Sequence, residues 1–151
     1  MSEDITTFGT AGVDKMPPRT GRLFVVTVAD AYQPATDQWR DLAPEIHRQR
    51  LVVEGVPSRI ITDADIRDYL RELTIVTEMI PLMDPVTHSS PTYGWAGWTH
   101  WETSGAHFYA WDRPKLFFSV DIYTCKAFDS RAVVEFSREW FDATEITWRG
   151  F

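Results

Sequence analysis

Among the side chains of the kind that make and break covalent bonds are Ser104, one of several serines and followed at once by Gly105, and Cys125, the one cysteine of the chain. A serine hydroxyl becomes a nucleophile when a base takes its proton, and a thiol can attack or return a proton. Between them stand His107 and Tyr109. With Phe108 extended, both point to one side of a strand. A neutral imidazole takes a proton near pH 7, whereas an unperturbed phenol, with a pKa of about 10, seldom does. Asp121 is a charge inside the apolar run LFFSVDIYT. An unpaired buried carboxylate is costly, so Asp121 is either paired at an interface or aimed into a polar cavity. Plainer readings exist: a single cysteine at a strand end is commonly a small buried hydrophobe, and Ser-Gly is ordinary turn chemistry.

His88, His100, Glu102 and His107 are zinc or iron ligands by type. However, His100-x-Glu102 lacks the downstream PCxxC of zinc deaminases, and no HExxH helix is present, so no metal site is expected. The 7 Trp, 5 Tyr and 9 Phe make up 14% of the chain, and several crowd between Tyr93 and Phe118. Such flat side chains suit a core, a subunit interface or a ring-binding pocket.

These residues need elements to position them. The run 23–29 (LFVVTVA) reads as a strand covered on both faces, and 50–54 (RLVVE) as another; between them Pro34 and Pro44 flank a short helix at 36–42. Thr62, with Asp65 three residues on, caps a helix that turns Ile66, Tyr69, Leu70, Leu73 and Val76 inward. Pro81, Pro85 and Pro91 punctuate a loop holding His88, Ser89 and Ser90. Strands are expected at 95–102, 108–111 and 116–124, the last two joined by a turn at Asp112-Arg113-Pro114. A second helix begins near Asp129 or Ser130 and buries Val133, Phe136 and Trp140, before a last strand at 144–148. The order predicts an α+β two-layer sandwich, an antiparallel sheet with helices on one face. In 116–125 the even positions are apolar and the odd ones mix aromatic and polar groups, so the second face suits a dimer interface containing a site.

At 151 residues with 44% hydrophobic content, one core is expected: an N-terminal arm at 1–22 and a single domain at 23–151. The net charge of −7 and the lack of a basic stripe argue against nucleic acid. No apolar stretch is long enough to span a bilayer, and the N-terminus lacks signal-peptide character, so no membrane association and a cytoplasmic location are expected.

The segment TSGAHFYAWDRPKLFFSVDIYTC, 103–125, resembles the core of bacterial and archaeal S-adenosylmethionine decarboxylase proenzymes. There a Glu-Ser bond precedes His-x-Ser-x-His-x-Trp-Pro-Glu, and a Val-Asp-hydrophobic-Phe/Tyr-Thr-Cys strand comes after it. Ser104 falls at the family serine, Trp111 at its tryptophan and Val120-Asp121-Ile122-Tyr123-Thr124-Cys125 at the cysteine strand, with one residue inserted near Asp112. Element order extends the likeness over roughly 23–148, with an insertion between 31 and 60. In the family the serine cuts the preceding peptide bond and becomes a pyruvoyl group, a covalent electron sink for decarboxylation. The resemblance therefore implies Ser104 as pyruvoyl precursor and Cys125 as proton donor, with no other cofactor. The sequence departs from the family at Thr103, where the family has Glu, and at Tyr109, where the family has the histidine that assists self-cleavage; His107 is the candidate to replace it.

The resemblance further implies a lyase acting on S-adenosylmethionine or a related amino acid, most simply by pyruvoyl-dependent decarboxylation for polyamine biosynthesis, working as a homodimer with its site between protomers. Asp121, Trp98, Trp95, Tyr93 and Asp112 are the candidate substrate-binding residues, since an indole face suits a sulfonium and a ring suits adenine. Two alternatives stand beside it: an unprocessed homologue that cleaves or cyclises S-adenosylmethionine without losing CO₂, and a catalytically silent binding or regulatory subunit.

Overall fold

The computed structural model describes residues 40–151. The expected arm, the expected strand at 23–29 and most of the helix at 36–42 lie outside these residues; the last positions of that helix, Arg40, Asp41 and Leu42, are not helical. The elements run β1 (Gln49–Val56), α1 (Asp63–Val76), β2 (Val86–Ser90), β3 (Gly94–Trp101), β4 (Ser104–Trp111), β5 (Phe117–Thr124), α2 (Ser130–Trp140) and β6 (Glu145–Gly150). The six strands form one antiparallel sheet in the order β2-β3-β4-β5-β1-β6. This is the expected α+β sandwich, with both helices on one face.

Local signals start the helices where the sequence puts them. Thr62 Oγ1 accepts from the Asp65 N–H, and the Asp65 carboxylate accepts from the Thr62 N–H at 2.8 Å, a reciprocal cap that satisfies two otherwise orphaned donors. Arg59 adds two contacts of 2.8 Å to the same carboxylate and, with the Thr62 hydrogen bonds, holds it well below the usual carboxylate range. Asp129 caps α2 by accepting from the Arg131 and Ala132 N–H groups.

Helical spacing then turns Ile66, Tyr69, Leu70 and Leu73 of α1, and Val133 of α2, onto the sheet, where all are fully buried. Leu51, Val53, Phe108, Phe118, Val120 and Ile122 meet them from the strands. Tyr69 ties the layers together. Its ring stacks on Phe136 at 5.2 Å and tilts against Phe108 at 5.2 Å, and its hydroxyl is hydrogen-bonded to Ser137 at 2.8 Å.

Two elements differ from expectation. The segment expected to be a loop contains β2, a five-residue edge strand paired to β3 from Val86↔Trp98 to Ser90↔Gly94. An edge strand bonds to one neighbour only and needs no apolar alternation, and Pro85 and Pro91 fall just outside it. Arg67 of α1 fastens it by donating to Pro85 O at 2.7 Å and to Thr87 Oγ1 at 2.5 Å. The second difference bears on chemistry: β4 begins at Ser104 rather than Phe108, because ladder pairing to both neighbours continues through Gly105 and Ser104. No described helix is long and apolar enough to cross a membrane.

Candidate active site

Alternation along the central strands leaves a second face that the helices do not cover. It carries Arg50, Val52 and Glu54 of β1, Ser119, Asp121 and Tyr123 of β5, Gly105, His107, Tyr109 and Trp111 of β4, and Ala96, Trp98 and His100 of β3. The register aligns these into rows. One row runs Arg50, Tyr123, Gly105, His100; the next runs Val52, Asp121, His107, Trp98.

The first of these rows floors a cleft of about 430 Å³ lined by Arg50, His100, Ser104, Gly105, His107, Asp121 and Tyr123. That volume falls in the range of roughly 300–1,000 Å³ usual for small-molecule sites. Glycine is required at the centre: a Cβ on Gly105 would come within 2.4 Å of the Thr99 carbonyl oxygen.

Ser104 is the strained residue of this group. Its φ of 138° lies where a residue with a Cβ seldom goes, a conformation costing on the order of 1–3 kcal/mol. Strain of that size persists only where the surroundings over-determine it, and two contacts do so. The Ser104 hydroxyl lies 3.8 Å from the Cys125 thiol. The Cys125 backbone N–H donates to the carbonyl oxygen of Thr103 at 2.9 Å. The β3–β4 turn is thus pinned to the end of β5, and the carbonyl just before Ser104 has a donor on its oxygen, as a carbonyl under nucleophilic attack requires. Cys125 is exposed rather than core filler.

Asp121 is paired, and it is also in the cleft. Arg50 donates to it through Nε at 2.9 Å and Nη2 at 2.6 Å, the two-pronged geometry of a guanidinium on a carboxylate. That hydrogen bonding raises the Arg50 guanidinium above its already high value.

Other sequence-derived candidates separate from this group. Trp98 stands on the open face in the row of His107 and Asp121, beside the cleft. Trp95 is on the opposite face and packs against the core, because odd positions of β3 from Trp95 to Trp101 face the helices. Tyr93 and Asp112 meet at the far end of the β3–β4 hairpin, where the Asp112 N–H donates to Tyr93 O at 2.9 Å. Seven residues of strand separate Ser104 from Trp111, about 23 Å at 3.3 Å per residue, so neither reaches Ser104 within one chain. Tyr109, at the family histidine's place, is 45% exposed and does not line the cleft. His107 does.

Arg50 and Tyr123 line the cleft although residue type alone does not mark them, and His100, weighed in the sequence only as a metal ligand by type, lines it too. The alternation of Arg50, Val52 and Glu54 with buried Leu51 and Val53 is the available sequence signal; the row that unites Arg50 with His100 needs the pairing of four strands. Among the described residues no three His, Cys, Asp or Glu side chains stand close enough to hold a metal ion.

Residues 51–151 match a family model described as S-adenosylmethionine decarboxylase. Among solved structures, the adenosylmethionine decarboxylase from Aquifex aeolicus has a similar fold, with a TM-score of 0.57 and 16% sequence identity, covering 70% of this chain and 89% of that one. No curated protein matches the chain in sequence. The matched region begins inside β1, which narrows the likeness expected from position 23: β1, not 23–29, opens it.

Proposed function

We propose, for a chain that belongs to the S-adenosylmethionine decarboxylase family, that it is a self-processing lyase whose substrate is S-adenosylmethionine or a related amino acid, with Ser104 as the source of its reactive group. The observation that carries this reading is the strained Ser104, whose hydroxyl neighbours the Cys125 thiol while the preceding carbonyl accepts from the Cys125 N–H. These residues fit a serine-derived pyruvoyl group, which supplies an electron sink for decarboxylation.

The chain's own part begins with the Ser104 hydroxyl oxygen bonding to the Thr103 carbonyl carbon. The Thr103–Ser104 C–N bond breaks and leaves an ester and a free Ser104 amine. Loss of the Ser104 α-proton then expels Thr103 as a carboxylate, and the remaining dehydroalanine takes up water and releases ammonia. Strain at Ser104 favours the first step, because opening the peptide bond relieves it. In turnover, the Cys125 thiol is the group to return a proton to the substrate's α-carbon after CO₂ leaves. A homodimer that closes the open sheet face over the cleft belongs to this reading; its exposed Tyr109, Trp111 and Tyr123 give that face the aromatic character of an interface. Sedimentation of the protein as a monomer only would count against it.

A denaturing mass spectrum tests the central point. Two fragments dividing between Thr103 and Ser104, the second without a free amino group, are expected. An intact chain that consumes S-adenosylmethionine without releasing CO₂ would instead support the unprocessed lyase, which Tyr109 in the place of the family histidine favours. Binding without turnover would identify a silent subunit.

A further inference from the structure

We infer that His100, rather than His107 or Tyr109, is the proton acceptor for the Ser104 hydroxyl in chain cleavage; this rests on the self-processing reading above. Tyr109 lies five residues beyond Ser104 along β4, about 16 Å at 3.3 Å per residue, and is outside the cleft. His107 lies three residues beyond, about 10 Å by the same rise, with its side chain in the neighbouring row opposite Asp121 and Trp98. His100 enters from the adjacent strand. Its ladder partner is Gly105, the residue bonded to Ser104, and directly paired residues of antiparallel strands sit only about 4.5–5.5 Å apart.

The side chains agree with this placement. His100 is exposed on the open face and lines the same cleft as Ser104. Gly105 between them carries nothing that could intervene, and the Thr99 carbonyl forbids any larger residue there. On the other side of Ser104 stands the Cys125 thiol, at 3.8 Å. The hydroxyl thus has the Cys125 thiol, just past the end of β5, on one side and shares its cleft with the imidazole from β3.

The proton balance is simple. As the Ser104 oxygen bonds to the Thr103 carbonyl carbon, its proton passes to the His100 imidazole, directly or through one water. As the C–N bond breaks, the imidazolium gives that proton to the Ser104 nitrogen. The ester and free amine are formed with nothing consumed, and the Cys125 N–H stays on the Thr103 oxygen throughout.

Denaturing mass spectrometry of freshly purified wild type, His100→Ala, His107→Ala and His88→Ala, sampled over time, tests the assignment. A positioned acid–base group contributes about 10²–10⁴-fold, so His100→Ala is expected to slow cleavage at least a hundredfold. The loss at His107 should be at least tenfold smaller, and His88→Ala, on the edge strand outside the cleft, should cleave at the wild-type rate. Added imidazole should restore cleavage in His100→Gly, a rescue that a purely structural role for His100 would not give. Equal rates for wild type and His100→Ala, or loss on His107→Ala alone, would overturn the assignment and leave self-processing intact. A wild-type chain that never cleaves would overturn both, and is distinguished by the absence of fragments in every sample.

Discussion

The two faces of one sheet do different work from the same strands. On the helix side of β5, Phe118, Val120 and Ile122 are fully buried, while on the other side Ser119, Asp121 and Tyr123 stay partly or largely accessible. The first face gains its stability from area removed from water and tolerates no polar group without a partner. The second is paved with ionisable and aromatic groups beside the residue with strained backbone. One residue of shift exchanges the two sets. The difference teaches that the candidate site draws its lining from strands on the uncovered side of the sheet, with Cys125 just past β5 the member that comes from outside them.

Substitutions sharpen or break that contrast. The largest effect is expected on the open side: Ser104→Ala removes the nucleophile and should abolish chain cleavage and CO₂ release, with the thermal transition retained. If the variant kept both activities, the site would not be where the open face puts it. Next comes the covered side. Phe108→Ala empties a position that touches the rings of Tyr69, Phe118 and Phe141, and should cost about 3–5 kcal/mol of unfolding free energy in a denaturant titration. A loss below about 1 kcal/mol would mean that the two faces are less different than their burial indicates.

The smallest effect concerns the cap that holds α1 on the covered side, and its sign depends on pH. Arg59 and the Thr62 hydrogen bonds depress the Asp65 carboxyl, so Asp65 contributes stability that is fully present above the ordinary carboxylate pKa of about 3.9 and is lost as pH falls through the lower folded value. Asp65→Asn should therefore melt below wild type at neutral pH, with the gap closing as the solution becomes strongly acidic. A gap independent of pH would show that the ionised carboxylate is not what the cap uses.

How much of this is legible in the sequence depends on how far apart the interacting residues are along the chain. The Thr62–Asp65 cap, the helical stripe from Ile66 to Leu73 and the alternation of 116–125 are all readable, because each is set by neighbours within a few residues. The family-like spacing of Ser104 and Cys125 implies that they are adjacent, and the structure brings them to 3.8 Å. Periods cannot read across strands. Trp95, Tyr93 and Asp112 fall away from the site because the face and end of the hairpin to which a side chain belongs depend on pairing, and β2 is hidden because an edge strand needs no apolar pattern of its own.

Sequence alone thus determined the two layers and the order of elements, consequences of local periodicity, while Ser104 and Cys125 stood out through the resemblance of 103–125 to a known family rather than through periodicity or residue type. Only the tertiary structure decided that Arg50, Tyr123, Gly105 and His100 share a row, and that Ser104 takes a φ of 138° at the start of a strand. The physical reason is the same for both: register between distant strands is fixed by how the whole buried face packs, and the open face inherits whatever alignment that packing imposes.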